Sequence, residues 1–366
     1  MPSGQMAGVR SAPRLPSCAS GVSEGAVVRR GALFLGVRYP LRRGLPRIRC
    51  RGESPGGGIP AGSGRGDTAN QYNGGASEET LGAYFAGRPG VRDRVVPATK
   101  FGGTMDPPDP NAGGAGRKAL LAQLDASLRR LRTAYVDVYW MHMWDRHTPL
   151  EETLSTLNDL VRAGKVRAIG LSNTPAWWVA QAATTARLRG WEPVAALQVE
   201  YSLLARTVEG EQFGAARAFG LGTTPWSPLA SGVLSGKYSR TRTTAPDSGR
   251  AGYAAPLLTE DTFVLLDVLE RIAQDLGTTV AAVALAWVRQ QDPVTSVPVA
   301  ARTLDQLENN LASAALTPDP SQRAELSALT TPELNCPHAF TEGVGIGFLQ
   351  GDATVNGVTS VSFRRS

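Results

Sequence analysis

Between residues 77 and 300, short apolar runs alternate with helical stretches, and no other feature restricts the possible folds as much. The helical stretches cover residues 77–87, 116–131, 149–163, 175–188 and 209–219. In the second, Leu120, Leu121, Leu124, Leu128 and Leu131 recur at the helical period on one face. Thr148-Pro149-Leu150-Glu151 reads as a capping box with proline at the first helical position. The apolar runs are 94–100 (RVVPATK), 136–142 (VDVYWMH), 166–173 (VRAIGLSN), 194–202 (VAALQVEYS), 221–228 (LGTTPWSP) and 294–300 (VTSVPVA). Strands that are apolar on both faces belong in a parallel sheet covered by helices on both sides. Six such runs lie within about 230 residues, and none is followed by Gly-x-Gly-x-x-Gly. The α/β class expected is therefore a (β/α)8 TIM barrel, not a doubly wound sheet.

A polar residue closes one run after another: Lys100, His142, Ser172 with Asn173, and Gln198. In a parallel barrel these ends open on a single face, where barrel active sites are built. One polar strand end could be a helix cap, but four in succession predict a site. Taken singly, Lys100 reads as a surface lysine at a strand end, and His142 as a satisfied core histidine. Tyr72 alone reads as a half-buried loop residue.

These residues sit in segments with a known likeness. DTANQY, ATKFG, YWMHMWD, GKVRAIGLSN, LQVEYSLL, PWSPLASGVLSGKY and RTLDQLENN follow one another in unbroken order between residues 67 and 315. Together they resemble the aldo-keto reductases, nearest the branch of the aryl-alcohol dehydrogenases and the potassium-channel β subunit. The resemblance implies reduction of aldehydes or ketones to alcohols by hydride transfer from NADPH.

The residue types suit that chemistry. Hydride addition leaves negative charge on the carbonyl oxygen, so a proton donor must stand beside it. Tyr72 is the candidate. Lys100 would supply a cation that eases loss of the phenol proton, Asp67 would pair with and fix Lys100, and His142 would orient the carbonyl oxygen. By resemblance, Ser172, Asn173 and Gln198 would hold the nicotinamide carboxamide, with Trp226 stacked on its ring. Ser227, Leu229, Ser231 and Lys237 would follow the pyrophosphate. Arg302 and Thr303 would meet the 2′-phosphate, for which a guanidinium fork is well shaped. Gln306 and Asn310 would face the adenine end. Two positions depart from the family pattern: Ala300 replaces the usual glycine and Asn309 the usual acid. Trp144 would line an aromatic-friendly pocket for a small carbonyl substrate, and the tail 332–366 would lie over it. His147 and His338 read as structural or surface residues.

The net charge of +6 divides unevenly. Residues 1–66 carry 11 Arg, no Lys, no Asp and two Glu, and 39 of the 66 are Gly, Arg, Pro or Ser. The high isoelectric point belongs to this leader and says nothing about nucleic acid; the body is mildly acidic, and no nucleic-acid partner is expected. Three scattered cysteines and three histidines give no disulfide framework and no metal site. No apolar run is long enough to span a bilayer. The expected setting is the reducing cytoplasm.

Three domains are expected: a leader over 1–66, a barrel over 67–331 and a tail over 332–366. The leader is too poor in apolar residues to pack. It reads as a transit peptide, a disordered segment, a genuine divergent start or, best, the product of another reading frame or a misplaced start, ending at Gly66. A family member has a strand, a helix and a second strand before the Asp-Thr-Ala segment, and the composition of 62–66 argues against a buried strand there. The only strand-like run, 31–39 (GALFLGVRY), lacks the family's residues. The expectation is a barrel incomplete at its N-terminus, with two open edges, poor support for Asp67 and Tyr72, and poor expression. The alternatives to a working reductase are thus an NADP(H)-binding module with little turnover and an inactive product.

Overall fold

The apolar runs form strands. In the computed structural model, which describes residues 32–36, 65–244, 251–301, 303–341, 345–355 and 357–361, eight parallel strands make one curled sheet. They are β1 (Ala32–Gly36), β2 (Arg65–Asp67), β3 (Val96–Phe101), β4 (Val136–Met141), β5 (Val166–Ser172), β6 (Val194–Glu200), β7 (Gly222–Trp226) and β8 (Ser296–Val299). Their order is β7-β6-β5-β4-β3-β2-β1-β8. The two ends meet where Thr223 bridges Val294 in parallel and the Thr295 amide donates to the Thr223 carbonyl at 2.9 Å.

Helices α1 (Ala76–Ala86), α2 (Arg117–Leu131), α3 (Leu150–Arg162), α4 (Ala176–Arg189) and α5 (Glu211–Phe219) each follow a strand. The short α6 (Ala251–Ala254), then α7 (Glu260–Asp275) and α8 (Val280–Arg289), join β7 to β8; α9 (Leu304–Ala312) and α10 (Pro320–Leu329) complete the body. The architecture is the (β/α)8 barrel, abbreviated at its N-terminal corner. Residues 37–64 lie outside the described residues, and no helix between β1 and β2 is among the described elements. Most of the leader, 1–31 and 37–64, falls outside the description, as does Arg302.

At this corner the structure differs from the sequence reading. The centre of the 31–39 run supplies β1, which pairs β8 from Ala32–Ser296 to Leu35–Val299. Arg65 and Gly66 are strand residues, although composition argued against it. They pair Val96 and Pro97 of β3, while Leu35 and Gly36 pair Gly66 and Asp67. Two paired neighbours place a strand through its backbone, and glycine supplies that backbone as any residue but proline does. Leu81 of α1 lies 3.5 Å from where a Gly66 Cβ would stand, so the helix packs directly on this stretch of backbone.

The capping box at 148–151 is also corrected. Pro149 is the N-cap of α3 and makes no side-chain cap; the Thr148 hydroxyl donates instead to Asp145 at 2.7 Å. A capping box does form at Asp319 and Gln322 of α10.

The main core lies between sheet and helices, where Leu120, Leu124, Leu157, Val179, Leu269 and Trp287 are buried. A smaller cluster, Trp140 with Ala98 and Ala196, comes from three different strands. Trp140 pairs Lys100 on one side and Gly170 on the other. A Cβ at Gly170 would lie 2.1 Å from the indole Cε3, so the only side chain that lets Trp140 sit here is none.

Candidate active site

The strand ends meet as the sequence suggested. Lys100 is completely buried, not a surface lysine. Its Nζ donates to Asp67 Oδ2 at 2.6 Å and to the Thr68 carbonyl at 2.9 Å. Tyr72 opens the turn Tyr72–Gly75, and its ring centroid is 4.9 Å from Lys100 Nζ. The His142 ring meets it edge-on, with centroids 5.7 Å apart at 77°. Asp67, Tyr72, Lys100 and His142 thus share one end of three adjacent strands, a cation flanked by a phenol and a carboxylate.

This group is supported from the C-terminal side of the sequence. The ladder continues past β2, with the Thr68 amide on the Ala98 carbonyl at 2.9 Å and the Asn70 amide on the Lys100 carbonyl at 3.2 Å. The Thr68 hydroxyl donates to Ser77 Oγ at 2.7 Å. Asn70 Nδ2 reaches Gln123 Oε1 of α2 at 3.0 Å, and Gln123 also receives the Gly102 amide at 2.8 Å. Thr68, Asn70 and Gln123 are buried. The expected lack of support for Asp67 and Tyr72 is therefore not what the described residues contain. Sequence reasoning missed these residues because their partners are remote in the chain. The one local signal was polar Ser77-Glu78 at the start of α1, both of which are buried.

Beside the cation lies a second set of polar groups. Gln198 of β6 donates to Asp67 Oδ1 at 3.3 Å and to Thr224 Oγ1 at 3.5 Å. Asn173 has a left-handed backbone, φ 48°. Its Nδ2 donates to the His142 carbonyl at 2.9 Å and to Ser172 Oγ at 3.1 Å. Its Oδ1 accepts the Trp226 indole N–H at 3.0 Å. Ser172, Asn173, Gln198 and Trp226 so form one connected surface from β5 to β7.

After β7 the chain turns sharply, with φ positive at Ser227, Ala230, Ser231 and Gly232. The Ala230 and Gly232 amides are satisfied within the turn by Ser227 and Leu229 carbonyls, both at 2.8 Å. The Ser231 amide bonds Ser227 Oγ at 3.2 Å. Positive charge here comes from Lys237, whose Nζ lies 2.7 Å from where a Gly232 Cβ would be. A cation against this serine-bearing turn suits phosphate oxygens, so the donor set fits the phosphate-bearing part of a dinucleotide.

At the far end, Thr303 caps α9 by accepting the Gln306 amide at 3.2 Å. Gln306 is exposed. Asn310 is buried, and its amide donates to the Ala300 carbonyl at 3.4 Å, holding the strand-end loop to the helix. Trp144 meets Trp177 of α4 edge-on, centroids 5.5 Å apart, with the Arg146 guanidinium 5.7 Å over its ring. Asp145 secures this loop. Burial alone would raise its carboxyl, but hydrogen bonds from Thr148 and from the Ala115 and His147 amides outweigh that and hold it below the usual carboxylate range. The described tail meets the barrel at α5, where His338 Nε2 is 2.9 Å from Glu211 Oε1. His147 is exposed.

The chain belongs to the aldo/keto reductase family, whose sequence profile matches residues 61–330, and is therefore an oxidoreductase by family. It is similar to an uncharacterized oxidoreductase, YrpG, of Bacillus subtilis (strain 168). The two are 36% identical over 262 residues, 69% of this chain and 78% of the relative. It is 32% identical to norsolorinic acid reductase B of Dothistroma septosporum over 76% of this chain and 71% of the relative. It is also 30% identical to an aryl-alcohol dehydrogenase [NADP(+)] of Phanerodontia chrysosporium, over 70% of this chain and 69% of that protein. Among the described residues no helix is long and apolar enough to cross a membrane.

Proposed function

We propose that the chain reduces aldehydes or ketones to alcohols with NADPH, taking a small carbonyl substrate, in the cytoplasm. The observation that carries this reading is the buried Lys100, held by Asp67 at 2.6 Å with its ammonium 4.9 Å from the Tyr72 ring. A phenol that must give up a proton is helped by a neighbouring cation, which stabilises the phenolate left behind. Asp67 and the Thr68 carbonyl fix the ammonium, so its field acts on Tyr72 in one place. His142, edge-on to Tyr72, orients the carbonyl oxygen by hydrogen bonding. Tyr72 then passes its proton to that oxygen as charge develops there, acting as general acid.

NADPH, when bound, supplies the hydride. Ser172, Asn173 and Gln198 would hold its carboxamide and Trp226 would lie against its ring. Ser227, Leu229, Ser231 and Lys237 would take the pyrophosphate. Thr303 and Arg302 would meet the 2′-phosphate, with Gln306 and Asn310 toward the adenine. The NADP(+) in the name of the Phanerodontia relative supports the phosphorylated cofactor. Trp144 with Trp177 offers aromatic faces to an aryl substrate, in line with the relatives named aryl-alcohol dehydrogenase.

Titrating NADPH against tryptophan fluorescence, then adding a panel of aryl and alkyl aldehydes, tests the proposal. Binding is expected with NADPH oxidation on at least one aldehyde, and Tyr72→Phe is expected to abolish turnover while leaving cofactor affinity within about twofold. Cofactor binding with no oxidation across the panel would leave only a binding module.

A further inference from the structure

Glu78 is a buried acid that the proposed chemistry does not use. It lies in the first turn of α1 and is fully buried, where a carboxylate survives only with strong partners. Oε1 accepts a hydrogen bond from Thr99 Oγ1 of β3. Oε2 lies 2.7 Å from Arg130 Nε of α2. Three elements are therefore joined at one carboxylate.

The place of this junction matters more than its strength. Thr99 immediately precedes Lys100, and successive strand residues face opposite sides of the sheet. Glu78 thus grips β3 from behind, one residue from the ammonium. Arg130 meets the other reactive residue's support. A Cβ at Gly75, the last residue of the turn that carries Tyr72, would lie 2.8 Å from Arg130 Cδ. The arginine stem is packed against the end of that turn. Tyr139, opposite Thr99 on β4, has its phenol raised well above the usual value, first by burial and then by the Glu78 carboxylate.

We infer that Glu78, with Thr99 and Arg130, is a positioning group that sets the Tyr72 ring against the Lys100 ammonium by fastening the Tyr72 turn and the end of β3 to one buried carboxylate. This rests on the proposed reductase reading for its kinetic consequence, but its structural consequence does not. Among the described residues the junction joins β3, α1 and α2 and borders the Tyr72 turn and Tyr139 of β4, whereas the groups proposed for the cofactor stand on β5 to β8 and after. Loosening it should alter turnover and leave cofactor binding alone.

The experiment compares wild type with Glu78→Gln, Thr99→Val and Thr99→Ser in the full chain. Glu78→Gln keeps the shape and weakens the ion pair; Thr99→Val removes one hydroxyl at constant volume, and Thr99→Ser restores it. Misplacement by about an ångström costs on the order of a hundredfold in rate. Glu78→Gln is expected to lower kcat roughly a hundredfold and Thr99→Val roughly tenfold, with Thr99→Ser within about threefold of wild type. The NADPH Kd should stay within about twofold throughout. A second readout needs no turnover: in protein carrying labelled tyrosine, the Tyr72 ring resonance, assigned by its loss in Tyr72→Phe, should shift or broaden in Glu78→Gln and Thr99→Val but not in Thr99→Ser.

An inactive wild type would refute the reductase reading and leave the resonance to decide this one. A Tyr72 signal identical in all four proteins would overturn the inference, as would an unchanged kcat in an active enzyme. So would losses of kcat and NADPH affinity in equal measure, the mark of a general structural role. If Glu78→Gln does not fold, the two Thr99 variants decide alone.

Discussion

Removing the Lys100 side chain should destabilise the protein far more than removing it together with its partner. The ammonium is completely buried and stands 2.6 Å from Asp67 Oδ2. At an effective dielectric constant of about 20, two unit charges at that distance attract by about 6 kcal/mol. Taking both ions out of water costs several kcal/mol each, so the net worth of the pair against two apolar groups is near zero. One partner left alone is a different case. In Lys100→Met the Asp67 carboxylate keeps, among the described residues, Gln198 at 3.3 Å, and the Thr68 carbonyl loses the Lys100 ammonium. A buried charge stripped of its partner typically costs about 3–5 kcal/mol, or a fall in Tm of roughly 10 °C. Asp67→Asn should cost a similar amount by stranding the ammonium. The double variant Asp67→Asn/Lys100→Met should recover to within about 2 kcal/mol of wild type, because no uncompensated charge remains. Urea unfolding followed by tryptophan fluorescence at pH 7 measures all four proteins without needing turnover. If the double variant loses the sum of the two single losses, the pair is not coupled and the reasoning fails.

Three further outcomes are expected. Gly170→Ala sets a methyl 2.1 Å from the Trp140 ring; overpacking of this kind costs about 1–3 kcal/mol or more. Thermal unfolding should report it, while Gly214→Ala, whose added Cβ meets nothing within 4 Å, serves as control. Lys237→Ala should weaken NADPH binding about tenfold or more, the worth of a hydrogen bond to a charged group, measured by fluorescence titration. For Asp145, whose folded carboxyl is held below the usual 3.8, the linked stability is complete at neutral pH and is lost as pH falls through the depressed folded value. Asp145→Asn should therefore flatten the acid limb of the stability–pH curve below about pH 4, read by urea unfolding at stepped pH.

Much of the fold was legible because its strands are short, apolar and ended by a polar residue. Lys100, His142, Ser172 and Gln198 each mark where a strand meets the open face, and a parallel barrel leaves only one such face. The helix α2 was legible from its leucines for the same reason, a single period read against a single core. Legibility failed where a residue's state depends on partners far away in sequence. Lys100 looks like a surface lysine until Asp67, 33 positions earlier, is placed beside it. Glu78 looks like a solvated helix-start acid until Thr99 and Arg130 enclose it. Thr148 looked like a cap because its spacing to Glu151 is right, but the helix begins one residue later, with Pro149 as its N-cap, and the Thr148 hydroxyl donates to Asp145. β2 was missed for the opposite reason, since Gly66 joins the sheet through its backbone alone, while Asp67 at the strand's end was legible from its side chain.

The amide of Asn173 has a consequence for how a planar ligand would be received. On one side it faces the Trp226 indole N–H, which can only donate, and on the other the His142 carbonyl, which can only accept. A flipped amide would set oxygen against oxygen and nitrogen against N–H, so just one orientation is permitted. The chain's own hydrogen bonds thereby hold the Trp226 ring to Asn173 and, through it, to the His142 carbonyl. A nicotinamide arriving on that face would meet a surface already ordered, and the entropy of immobilising a tryptophan, about 0.5–1.5 kcal/mol for an interfacial side chain, would already be spent in folding. Asn173→Asp keeps the acceptor for the indole but turns the donor toward His142 into a second oxygen. The ring would then be released to more than one tilt, and cofactor association would become slower and more temperature-dependent while every phosphate contact stayed in place.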